Sequence, residues 1–328
     1  MSNTEYYENF PHQVQIIEHT WITLSDGCRL SAKLWLPTDA HQEPVPAILE
    51  YIPYRKGDAT APRDQMNHAY FAGHGYAGVR VDMRGTGNSD GIQMDEYSAL
   101  EQKDGQEVIG WLTEQPWCNG AVGMMGISWG GIASLQAATL AHPALKAIVP
   151  VCATDERYYD DGCYFLGCMS GETIGWGAVM LGFNSRPPDP EIVGEDWKSQ
   201  WLERLEKPPL FLENFLRHQR RDDYWLQGTV AGKYERIKCA VYAVGGWADC
   251  WPNTVFRLLE NLGPETPCKA LSGPWGHTYP HLGIPGPAMG FLPEILRWWD
   301  RWLKGIDNGI DREPQFYGYL NTLVPPDA

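Results

Sequence analysis

The segment that most restricts how this chain can fold is Met124-Met125-Gly126-Ile127-Ser128-Trp129-Gly130-Gly131, a GxSxG pattern between a short apolar run and a helical spacing. Ala121 to Met125 has strand character, and Ile132, Leu135, Gln136, Thr139 and Leu140 continue as a helix to a stop at His142-Pro143. A serine on such a strand-to-helix turn needs small neighbours, because side chains flanking it collide across the turn. Ser128 then sits at a helix N-terminus, where free amides and the dipole favour developing negative charge. The competing reading of so short a pattern is a Gly-rich structural turn carrying an ordinary serine.

The surrounding segments alternate in type. Residues 13 to 37 alternate apolar and polar positions around Ser25-Asp26-Gly27, a hairpin signal. Strand patterns follow at Ala47 to Tyr51, Tyr76 to Val81 and Leu145 to Val151, with helical spacing at Met66 to Ala72 and Gln102 to Thr113. This predicts an α/β fold with a mainly parallel sheet flanked by helices. The loop Asp82 to Gly91 is glycine-rich but lacks a P-loop lysine and dinucleotide spacing, so it reads as a structural turn. Alternation stops from Ala153 to Lys233, where aromatic, glycine-rich and amphipathic helical stretches predict an inserted helical cap that shapes a pocket. It resumes with Cys239 to Val244, Thr254 to Leu262, Cys268 to Leu271 and Phe291 to Leu303, while a last strand pattern, Gln315 to Leu320, has no evident partner in later residues. The expected division is a core of residues 1–152 and 236–312 with a cap of residues 153–235.

Composition narrows the function. With 26 basic and 41 acidic residues the formal charge is −15, which argues against nucleic acid or an anionic membrane as partner, since both call for basic patches. Eight cysteines form no CxxC pair, so no metal site and no disulfide framework is expected, and a reducing compartment fits. Met1 to Asn9 has no cationic or apolar character of a signal peptide, and no apolar run reaches the length of a membrane span. A cytoplasmic protein is the expectation; a homo-oligomer stays open.

A serine hydroxyl is a poor nucleophile until a base takes its proton, and the base needs a carboxylate to fix its tautomer. Asp249, in Gly245-Gly246-Trp247-Ala248-Asp249, and His277, in Ser272-Gly273-Pro274-Trp275-Gly276-His277, follow later strands in the chain order such a site requires. His281 is the rival base; His142 and His218 read as solvated, and Asp222 and Asp223 as surface charges. The Trp129 amide is one expected oxyanion donor. The other must come from the loop after Ala47 to Tyr51, where Tyr54 offers a phenol or is simply a half-buried loop tyrosine.

At these residues the chain resembles the CocE/NonD family of serine hydrolases, which includes cocaine-esterase-like enzymes, α-amino acid ester hydrolases and Xaa-Pro dipeptidyl-peptidases. The resemblance rests on Pro53-Tyr54-x-Lys56, Asp82-x-Arg84-Gly85-x-Gly87-x-Ser89-x-Gly91, the GxSxG segment, Gly246-Trp247-x-Asp249, Gly273-Pro274-Trp275-x-His277 and Trp299-Asp300-Arg301-Trp302-Leu303-Lys304-Gly305. It implies an α/β-hydrolase fold, a Ser128, Asp249, His277 triad, Tyr54 and the Trp129 amide as oxyanion hole, and no cofactor. It also implies a C-terminal β-sandwich, of which residues 313–328 are only the start. Relatives that accept a free amine surround it with carboxylates; here Asp161 stands at a plausible cap position and also reads as a solvated acid. Trp129, Tyr158, Tyr159, Trp176, Trp247, Trp251 and Trp275 favour an apolar or aromatic acyl group, with Trp176 and Trp251 as substrate-binding candidates. The expected activity is hydrolysis of a small-molecule ester or amide; the alternatives are an Xaa-Pro dipeptidyl-peptidase or α-amino acid ester hydrolase, and an inactive remnant that binds a ligand or partner.

Overall fold

Strands β1 (Val14–Thr23) and β2 (Arg29–Pro37) pair antiparallel across the Ser25-Asp26-Gly27 turn, where Gly27 takes a φ of 86°. The structure, a computed structural model, describes residues 10–161, 164–165 and 168–322. After the hairpin come β3 (Val45–Ile52), α1 (Ala61–Gly73), β4 (Ala77–Asp82), α2 (Ala99–Thr113), β5 (Cys118–Ile127), α3 (Trp129–Thr139) and β6 (Leu145–Val151). Helix α1 begins earlier than its apolar spacing predicts, because Pro62 supplies the preset φ of a first helical turn. Helix α2 likewise starts before Gln102, on an N-cap formed by Ser98, whose side chain accepts from the Glu101 N–H at 3.1 Å.

Between β6 and the next sheet strand the chain forms α4 (Arg157–Asp160), the two-residue strands β7 (Tyr164–Phe165) and β8 (Cys168–Met169), and helices α5 (Glu172–Asn184), α6 (Pro190–Val193), α7 (Trp197–Glu206), α8 (Phe211–Arg217) and α9 (Asp223–Leu226). Strands β7 and β8 pair antiparallel within the segment expected as a helical cap; two residues are too few for a period-2 signal. The sheet then resumes with β9 (Ala240–Gly246), α10 (Asn253–Asn261), β10 (Cys268–Gly273), α11 (Phe291–Leu303) and β11 (Phe316–Gly318).

The sheet order is β1-β2-β4-β3-β5-β6-β9-β10-β11, with parallel pairing from β4 through β11. Strand β11 pairs with β10 at the edge, so the last strand pattern finds its partner in an earlier strand. The expectation of a separate domain from residue 313 falls partly on residues 323–328, outside the described residues.

Both faces of the sheet are covered, as parallel sheets require. One core holds Val108 and Leu112 of α2, Ile132 and Leu135 of α3 and Val255 of α10; the other holds Phe71 of α1 and Trp298 and Trp299 of α11. Helix α3 is buried from Trp129 through Ala138, which explains its alanine-rich sequence, because small side chains let it lie close to the strands. Among the described residues no helix is long and apolar enough to cross a membrane.

Candidate active site

Ser128 occupies the junction of β5 and α3 with φ 60° and ψ −123°, a conformation L-residues rarely adopt. The glycines around it are a steric requirement. A Cβ on Gly126 would stand 2.6 Å from the Gly130 Cα, and one on Gly130 would stand 2.8 Å from the Ile52 side chain. The Ser128 N–H is shared between the carbonyls of Val151 and Cys152 at 3.0 and 3.2 Å, tying the turn to the end of β6. A backbone over-determined in this way can keep a strained residue in place.

The loops after β9 and β10 are interlocked. Trp247 donates its N–H to the Gly273 carbonyl at 2.8 Å and Ala248 donates to that of Trp275 at 3.1 Å, while a Cβ on Gly246 would lie 1.9 Å from the Trp275 oxygen. This close approach brings His277 Nδ1 to 2.7 Å from Asp249 Oδ1. The same oxygen accepts from the Cys250 N–H at 2.8 Å. Burial works against the Asp249 charge, yet the hydrogen bond and charge of His277 prevail and hold its carboxyl below the ordinary value. Trp251 sits edge-on to the His277 ring, with centroids 5.3 Å apart. His277 is 40% exposed, open to a ligand, whereas the Asp249 side chain is shielded. That is the polarity expected of a base and its orienting acid.

Ser128 and His277 face one cavity of about 640 Å³, which Asp161, Trp176 and Trp251 also line. Tyr97, Glu172, Val179 and Cys250 complete the wall relevant to a ligand. Tyr54 follows β3, edge-on to Trp129 and Trp176 at 6.3 Å each and tilted against Phe183 at 5.5 Å. Burial pushes its phenol far above the ordinary value, opposed by a hydrogen bond with Ser128, so the hydroxyl keeps its proton beside that serine. The Tyr54 loop is held from below: Asp82 accepts the Lys56 N–H at 2.7 Å, and a Cβ on Gly87 would stand 2.0 Å from the Asp82 carboxylate. The glycine-rich loop therefore closes on Asp82 and supports Tyr54, in keeping with its reading as a turn.

The other residues singled out in the sequence fall elsewhere. His281 stacks on Phe291, and burial lowers its pKa to about 4, so it is a neutral packing residue. His218 pairs with Asp222 at 2.7 Å, and His142 accepts the Ala144 N–H at 3.2 Å. Trp275 is buried in its own loop, donating to the Pro287 carbonyl at 2.8 Å, and Trp247 stacks on Phe256 at the surface. Tyr158 packs on Tyr164 and Trp225 away from the cavity, and Tyr159 is exposed. Asp160 pairs with Arg257, whereas Asp161, like Glu172, lines the cavity. Burial, then the charge of Glu96, pushes the Asp161 carboxyl well above its ordinary range.

Three contributors escape sequence reasoning. Tyr97 lines the cavity, Glu96 accepts the Trp176 indole N–H at 3.1 Å, and Glu101 accepts the Trp129 indole N–H at 2.7 Å. Ser98-x-x-Glu101 is a capping-box spacing, so the start of α2 was detectable; that Glu101 also holds Trp129 was not, since the contact joins residues far apart in the chain.

Comparison with known proteins places the chain in a family. The family model for the X-Pro dipeptidyl-peptidase (S15 family) matches residues 26–279. The cocaine esterase of Rhodococcus sp. (strain MB1 Bresler) is 27% identical over 289 residues, covering 80% of this chain and 49% of that enzyme. A Mycobacterium bovis protein that carries a serine-esterase name is 26% identical over 380 residues, 93% of this chain and 59% of that protein. The chain thus spans about half the length of the curated relatives it matches. A CocE/NonD family hydrolase from Staphylococcus aureus shares the fold with a TM-score of 0.75 at 18% identity, over 93% of this chain and 53% of that one. An α-amino acid ester hydrolase does so with a TM-score of 0.71 at 20% identity, over 97% and 59%.

Proposed function

Because this chain belongs to the CocE/NonD and S15 family of hydrolases, we propose that it cleaves carboxylic ester or amide bonds by acyl transfer through Ser128. His277 takes the hydroxyl proton as the Ser128 oxygen attacks the substrate carbonyl. The tetrahedral oxyanion accepts hydrogen bonds from the Tyr54 hydroxyl and the Trp129 N–H. His277 then returns the proton to the departing alcohol or amine, the carbonyl carbon–heteroatom bond breaks, and acyl-Ser128 remains. Water, deprotonated by the same imidazole, releases the acid and restores the serine. Asp249 stays ionised and holds the imidazole in its productive tautomer. These steps use no metal or organic cofactor.

The observation that carries this reading is the 2.7 Å contact between His277 and Asp249 in a cavity shared with a serine held at φ 60°. Trp176, Val179 and Trp251 give the cavity an apolar wall suited to an acyl group. Hydrolysis of p-nitrophenyl butyrate and of Ala-Pro p-nitroanilide by wild type and Ser128→Ala tests it. Turnover lost in the variant supports the assignment; a folded wild type inert toward both substrates favours a binding protein instead.

A second reading, in which the substrate carries a free ammonium as in Xaa-Pro peptides or α-amino acid esters, is favoured by Asp161. A carboxyl disfavoured as an anion by burial and by Glu96 would regain its charge beside a cation. Asp161→Asn should then raise KM for the free-amine substrate about tenfold, the loss of about 1.4 kcal/mol, and leave its N-acetylated analogue unaffected. Equal effects on both substrates would count against an ammonium at this position.

A further inference from the structure

Cys152 follows β6 directly and has no part in the chemistry described so far. Three observations converge on it. Its backbone has a φ of 43°, so it is, with Ser128, one of the few non-glycine residues in the left-handed region. Its carbonyl accepts the Ser128 N–H at 3.2 Å while its own N–H donates to the Val244 carbonyl at 2.8 Å, linking the nucleophile's turn to the end of β9. Its side chain is only 2% exposed and faces the carbonyls of Gly276 and Thr278, on either side of His277, at 3.8 and 3.7 Å.

The thiol also stands beside the acid and base. Single polar side-chain atoms of Cys152, Asp249 and His277 all lie within 4.8 Å of one another. Asp249 Oδ1 is occupied by His277 and by the N–H and thiol of Cys250, whereas Oδ2 is buried without a donor at hydrogen-bonding geometry among the described residues. A polar hydrogen next to a buried carboxylate lessens the cost of its unsatisfied oxygen. Burial, followed by the charge of Asp249, pushes the thiol well above its ordinary value, so that hydrogen is retained.

We propose that Cys152 is a positioning residue for the hydrolytic reaction: its backbone seats Ser128, and its thiol holds Asp249 and the His277 loop in register with that serine. The proposal rests on the hydrolase reading above. It places one residue at the junction of the three loops that carry the nucleophile, the acid and the base. Neither role needs the thiolate, so a hydroxyl can replace the thiol and a methyl cannot.

The test uses Cys152→Ala and Cys152→Ser in the full chain, with two readouts. In p-nitrophenyl butyrate hydrolysis, Cys152→Ala should lower kcat about tenfold, equivalent to about 1.4 kcal/mol, at unchanged KM, and Cys152→Ser should recover most of it. In proton NMR, the low-field resonance of the His277 Nδ1 proton should shift or broaden in Cys152→Ala and stay in place in Cys152→Ser. That second readout needs no substrate, so an inert wild type with the expected resonance pattern counts against the hydrolase reading while supporting the positioning of the Asp249–His277 pair. An unmoved resonance in Cys152→Ala, or a kcat loss that serine does not recover, overturns the proposal.

Discussion

Replacing Glu101 by glutamine probes how Trp129, the residue after the proposed nucleophile, is held. Glu101 is 7% exposed; one carboxylate oxygen accepts the Trp129 indole N–H at 2.7 Å and the other the Tyr97 N–H at 3.0 Å. Burial pushes its carboxyl from 4.5 up to about 8, against the pull of those two donors. An acid whose pKa is raised on folding keeps its proton in the native state after the unfolded chain has lost it. The associated stability is complete below pH 4.5 and is lost as pH rises toward 8. At 1.36 kcal/mol per pH unit the full loss is about 5 kcal/mol, of which about half falls between pH 5 and pH 7. Glutamine is neutral throughout and removes this dependence, while losing one acceptor at every pH at a cost of about 1–3 kcal/mol. In urea unfolding, the stability of Glu101→Gln relative to wild type should therefore rise by roughly 2–3 kcal/mol from pH 5 to pH 7. A difference between the two proteins that stays constant across that range would refute the reasoning and make Glu101 an ordinary ionised carboxylate.

Two further substitutions address the site itself. Tyr54→Phe should reduce kcat for an ester about 10²- to 10³-fold with little change in KM, as expected when one of two oxyanion donors is lost; an unchanged kcat would remove Tyr54 from the oxyanion hole. Gly126→Ala puts a methyl 2.6 Å from the Gly130 Cα and so forces the turn to move. It should cost at least about 1–3 kcal/mol in thermal or urea unfolding, whereas a fully stable variant would show that the turn relaxes freely.

Much of this arrangement is legible in the sequence because it is written locally. The GxSxG glycines stand where a Cβ would collide, the strand patterns from Ala47 and Leu145 fall within β3 and β6, and the one from Tyr76 starts one residue before β4. The bounds of α11 match the Phe291 to Leu303 spacing, because a strongly amphipathic helix marks both its ends. What escapes is nonlocal or too short to have a period. The pairing of β11 with β10 joins parallel strands without a hairpin between them, and the β7 and β8 strands have two residues each. Glu96, Tyr97, Glu101 and Cys152 matter through contacts that reach as far as 126 positions along the chain, which no periodicity records. Asp160 and Asp161 show the same limit: only the fold separates the one that pairs with Arg257 from the one that faces the cavity.

The central claim is that Ser128 is a nucleophile activated by His277. Its most direct test is reaction of the folded protein with a fluorophosphonate, followed by peptide mass spectrometry. The account predicts one adduct per chain, located on Ser128, lost in Ser128→Ala and strongly slowed in His277→Ala. An adduct on another residue, or no adduct on folded wild-type protein, would contradict it.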